Sequence, residues 1–109
     1  MAYDEGHLEA LRDDLADTAG VIEKKMFGGI CFMMNGNMLC GVHKTGGMFR
    51  VGKELEAEAL EIPGSREMDF TKRKMPGFVE GDDELFADDD NRRKMLALAK
   101  AYVGAMPAK

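Results

Sequence analysis

The sequence predicts an α+β domain of two layers, a mostly antiparallel sheet packed by helices. Three observations carry that expectation. An Asn35-Gly36 pair separates two apolar runs, the strongest short-range sign of a β-hairpin. The turns between the first strands are too short for crossover helices, so those strands run antiparallel. Segments with helical periodicity or composition flank the strands at both ends of the chain, which places helices on a face of the sheet.

Residues 4–18 read as an amphipathic helix with Asp4 as N-cap. Leu8, Leu11 and Leu15 make its apolar stripe, and His7 falls on the side away from it. Gly20 stops the helix. Strands follow at 21–27, 30–34 and 38–43, the first ended by Gly28-Gly29. Gly46-Gly47 reads as a second turn, and residues 48–52 as a fourth strand. Residues 53–60 are rich in Glu, Ala and Leu and read as a short helix stopped before Pro63-Gly64. Residues 67–71 alternate like a half-buried strand, and 77–80 follow Pro76 as a sixth. The longest helix spans 87–105, with Asp88, Asp89 and Asp90 at its positive N-terminal end. Its apolar face is Met95, Leu96, Leu98, Ala99, Tyr102 and Val103.

A two-residue Asn-Gly loop sets a register. Met34 then faces Asn37, Met33 faces Met38, Phe32 faces Leu39 and Cys31 faces Cys40, the last a close, non-hydrogen-bonded pair. Cys31, Met33, Met38, Cys40 and Val42 share one face, and Ile30, Phe32, Met34 and Leu39 the other. A sheet wet on one side alternates apolar with polar residues, and this hairpin is apolar on both. Three helices are few for two faces. Self-association as a homodimer is therefore expected, with Phe32, Met34, Met38 and Met48 as interface candidates.

At 109 residues the chain suits one domain, residues 1–109, burying roughly 60–70% of its unfolded surface without disulfide or metal. No run is apolar and long enough for a membrane span, and the acidic first twenty residues lack the apolar core of a signal peptide. A cytoplasmic location, with Cys31 and Cys40 as thiols, is the expectation. The net charge of -5 argues against binding nucleic acid over the whole surface. Ten Met and no Trp suit either gap-filling in a core or an adaptable binding surface.

The reactive side chains do not assemble into a catalytic pattern. Cys31, Cys40 and His43 offer three of the four ligands of a closed zinc site, but Cys40 and His43 differ in strand parity. The same parity argues against a Cys-His nucleophile. A thiol redox protein using Cys31 and Cys40 is the enzymatic alternative, and two apolar core thiols the plainer one. No metal or cofactor is expected. Gly28-Gly29 matches no phosphate-binding pattern and reads as a tight turn or bulge. Lys24, Lys25, Arg50, Lys72, Arg73 and Lys74 are candidates for contact with a partner or with nucleic acid. The acids at 82–84 lack the spacing of a calcium loop.

Met26-Phe27-Gly28-Gly29, the hairpin around Asn35-Gly36, Gly41-Val42 and Met48-Phe49-Arg50-Val51 together resemble the TfoX (Sxy) N-terminal-domain family. Met75-Pro76-Gly77-Phe78-Val79 and the closing helix extend the likeness over roughly residues 7–105. The resemblance implies a two-layer fold similar to that of type III secretion chaperones. It also implies kinship with competence regulators that act with the transcription activator CRP and carry a further helical domain, for which this sequence has no counterpart. The expected function is a non-enzymatic regulatory or protein-interaction module, with the transcription machinery among its possible partners.

Overall fold

The computed structural model describes residues 3–26, 28–44, 46–70 and 73–108. They form, in order, α1 (Glu5–Leu15), β1 (Val21–Met26), β2 (Gly29–Met34), β3 (Asn37–His43), β4 (Gly46–Arg50), α2 (Glu56–Leu60), β5 (Ser65–Phe70), β6 (Arg73–Gly81), α3 (Asp83–Ala87) and α4 (Asp89–Gly104). The strands make one antiparallel sheet in the order β1-β2-β3-β4-β6-β5. β6 returns between β4 and β5, after α2 has crossed the sheet.

Local chemistry explains most boundaries. Asp4 accepts hydrogen bonds from the Gly6 and His7 amides at 2.7 and 3.1 Å, starting α1. Asp82 caps α3 through the Glu84 and Leu85 amides, and Asp88 caps α4 through that of Asn91. The acids at 82–90 thus start two successive helices, where the sequence reading has one. Asn35 and Gly36 both have positive φ, 53° and 86°, as the type I′ turn requires. Gly46 and Gly47 form no turn. They open β4, paired with His43 and Val42. A Cβ on Gly47 would lie 2.5 Å from the Phe86 ring, so the bare backbone there makes room for packing.

All four helices bury their apolar sides against one face of the sheet. Leu8, Leu11 and Leu15 of α1, Ala59 of α2, Leu85 and Phe86 of α3, and Met95, Leu96, Ala99 and Val103 of α4 join one core. The sheet contributes Ile30, Phe32, Leu39, Cys40, Val42, Phe49, Val51 and Val79. Tyr102, expected on the apolar side of α4, is instead exposed. A buried ion pair ties α1 to α4: Arg92 donates to both Asp14 oxygens at 2.5 and 3.2 Å, and to the Phe86 carbonyl at 2.7 Å.

The hairpin register departs from expectation at one residue. Met34 pairs with Asn37 and Met33 with Met38, as the turn demands, but Phe32 pairs with Cys40 and Cys31 with Gly41. Leu39 is the extra residue of a β-bulge. The bulge turns both Leu39 and Cys40 into the helix-covered core. Everything beyond it in β3 changes side, so Cys40 and Val42 part company from Cys31, Met33 and Met38.

Candidate functional site

The face without helices carries a second, smaller cluster. Cys31, Met48 and Met68 are buried there, and Met26, Met33, Met38 and Phe78 pack over them while staying partly exposed. Among the described residues no helical side chain joins this cluster. One cross-strand row can be read straight across it from the register: Lys24, Cys31, Gly41, Met48, Glu80, Arg66. Ile22, 57% exposed, continues the Met33–Met38 pair toward the β1 edge. Unbranched thioether side chains can refill such a surface in several ways, which suits contact with another molecule.

The far end of the row is polar and paired. Arg66 makes a close ion pair with the buried Glu80 carboxylate and another with Asp82 at 3.5 Å. His43 lies 3.8 Å from Glu80. Burial holds its imidazole below the usual histidine range, with Glu80 opposing and Arg66 adding to the shift.

The thiols do not form a working pair. They lie on opposite faces of the sheet, both buried and both free. Bridging them is therefore geometrically closed without rearranging the strand. Burial pushes both thiols up, Cys40 far above the usual thiol range, which suppresses the reactive thiolate. The expected facing of Cys31 and Cys40 fails because the bulge intervenes. Cys40 and His43, three residues apart on β3, point to opposite faces by strand parity, and among the described residues they join no converging ligand group.

Of the four interface candidates, Met38 and Met48 belong to the helix-free face. Phe32 is buried in the main core, and Met34 packs against that core near α4. Met26, Met33, Met68 and Phe78 were not singled out from sequence. Placing Met68 and Phe78 needs the β4-β6-β5 pairing, which no local signal reveals. Of the basic candidates, only Lys24, Lys25 and Arg50 have described side chains, and these three stand apart. Lys24 and Lys25 are exposed on opposite faces of β1. Arg50 sits on β4, roughly 14 Å from β1 at about 4.8 Å per strand. Lys72 lies outside the described residues, and of Arg73 and Lys74 only the backbone, in β6, is described.

His7 also differs from its expected place. It is half-buried, stacked on Phe86 with ring centroids 4.0 Å apart and an interplanar angle of 9°. Its Nε2 lies 2.9 Å from Asp83 and 3.8 Å from Asp4. Four-residue spacing from Leu11 puts it beside the leucine stripe rather than opposite. Among the described residues Asp4, His7 and Asp83 are the one group whose ligand atoms converge within 4.8 Å of one another.

No described helix is long and apolar enough to cross a membrane. A family model described as the TfoX N-terminal domain matches residues 13–102. No curated protein and no solved structure matches the chain.

Proposed function

The chain belongs to the TfoX N-terminal domain family, and we propose that it is a non-enzymatic regulatory module that works by binding protein through the helix-free face of its sheet. The observation that carries this reading is the asymmetry of the sheet. Four helices seal one face, while the other ends in partly exposed Met26, Met33, Met38 and Phe78 beside the exposed Ile22. The family is not a known enzyme family, and buried, separated thiols give little support to the redox alternative.

The first partner is a second copy of the chain. The partly exposed patch of Met26, Met33, Met38 and Phe78 is the same on each copy, and an isologous contact of a two-fold dimer joins like patches. The dimer would act in the cytoplasm, with the transcription machinery as its onward partner. Sedimentation velocity from one to one hundred micromolar tests the proposal: a dimer supports it, and monomer throughout the range counts against it. Nucleic-acid binding has less support, because the described candidates Lys24, Lys25 and Arg50 do not cluster. Retention of a DNA probe at low salt, lost steeply as salt is added, would favour that role instead.

A further inference from the structure

An open cleft of about 730 Å³ lies where β4 runs into the turn before α2. Its lining includes Arg50, Gly52, Lys53, Phe78 and Tyr102. The volume is in the range of small-molecule sites.

Arg50 is the unusual element. Arg12, Arg66, Arg92 and Arg93 each pair with at least one carboxylate. Among the described residues no carboxylate or carbonyl engages Arg50, although the chain holds 20 acidic residues. Its guanidinium instead lies 5.8 Å from the centroid of the Phe78 ring and 5.9 Å from that of Tyr102. Such contacts hold the stem of an arginine in place while leaving its N–H donors available. Arg50 is half-buried, so a charge presented to it would be partly shielded from water.

The wall beside it is built rather than loose. The Val51 and Gly52 amides both donate to the Gly77 carbonyl, at 2.9 and 3.0 Å. The Gly77 amide donates to Glu56 Oε1 at 2.6 Å. Gly52 has φ +84°, and a Cβ there would lie 2.4 Å from the Tyr102 ring. Glycine at this position lets the ring lie against the turn, which leaves it 39% exposed. Lys53 adds an exposed cation to the rim, and Glu54 offsets it in part.

We propose that this cleft binds a small anion with a flat aromatic body, its phosphate or carboxylate taken by Arg50 and its ring stacked on Tyr102. The guanidinium fork suits either acid group, since both accept paired N–H donors. Exposed tyrosine supplies a stacking face that is tolerant of ring chemistry. The cleft adjoins the methionine face at Phe78, but ligand affinity and self-association are read separately, so either proposal can fail without the other.

Titration calorimetry or NMR shift mapping of the full chain at low salt tests it. Two ring-bearing anions, adenosine monophosphate and indole-3-acetate, separate a phosphate source from a carboxylate source. Adenosine and inorganic phosphate supply ring and charge alone. We expect at least one ring-bearing anion to bind with Kd below about 1 mM, and each fragment alone to bind roughly tenfold or more weakly. Arg50→Met keeps the stem and removes the charge. It should weaken binding about tenfold, and Arg50→Lys should restore part of the loss. Tyr102→Ala, at an exposed position, provides the second variant should Arg50→Met melt early. The proposal is overturned if neither ring-bearing anion binds by 5 mM, if a fragment binds as well as the whole, or if the substitutions leave affinity unchanged.

Discussion

The two faces of the sheet solve the same problem in different ways. On one, β-branched and aromatic residues such as Val42, Phe49, Val51 and Val79 are fully sealed by four helices. On the other, sulfur-bearing side chains cover one another: Cys31, Met48 and Met68 below, Met26, Met33 and Met38 above. Rigid side chains packed between two layers give a single, specific interior. Flexible thioethers lying on one layer keep water off their own floor yet can be repacked by a visitor. Strand alternation is common to both, so the difference comes from what lies opposite each face. Stability is therefore expected to reside on one side and recognition on the other.

The largest effects should come from the helix side. We expect Phe49→Ala to cost about 3–5 kcal/mol in urea unfolding, the usual loss for a sealed aromatic. Arg92→Ala should cost a similar amount, about 3–5 kcal/mol, because it leaves the buried Asp14 carboxylate with only the longer, 3.4 Å contact to the exposed Arg93. A loss under about 1 kcal/mol for either would mean that the helix layer is not the principal source of stability. On the opposite face Met38→Ala, at a partly exposed position, is expected to cost about 1 kcal/mol or less. A loss as large as that of Phe49→Ala would erase the contrast.

Thiol labelling sharpens the comparison further. In single-cysteine variants we expect Cys31, under a thin methionine cover, to react roughly tenfold faster than Cys40, which opens only with the whole core. Equal rates would mean that both faces open together. The smallest effect concerns acid. The unfolded His43 takes up a proton near pH 6.5, while burial keeps the folded imidazole neutral to lower pH. The unfolded state then binds more protons below that pH, so stability should fall as the pH drops from 7 to 5.5. The urea midpoint of His43→Gln should depend less on pH across this window. An unchanged slope would place the acid sensitivity on other groups.

The layering of the fold was legible because its signals are local. The Asn35-Gly36 turn, the leucine stripe of α1 and the Asp caps are each written within a few residues. The bulge at Leu39 was not legible, because parity counting assumes an unbroken register, and the extra residue shows only in the pairing itself. That one residue decided the sidedness of Cys40. Gly46-Gly47 resembled a turn because its actual reason, the Phe86 ring, lies nearly forty residues further along. The site was half visible for the same reason. Met38 and Met48 could be named from the hairpin and the strand after it, whereas Met68 and Phe78 reach the cluster only through the return of β6 between β4 and β5.

Light scattering on the wild-type chain and on a Met33→Lys/Met38→Lys double variant, both checked for an intact fold by circular dichroism, bears most directly on the proposed division of labour. We expect the wild type to weigh twice the 12.0 kDa chain and the variant to weigh once. A wild type that already weighs as a monomer, or a variant that stays dimeric, would contradict the assignment of the methionine face as the docking surface.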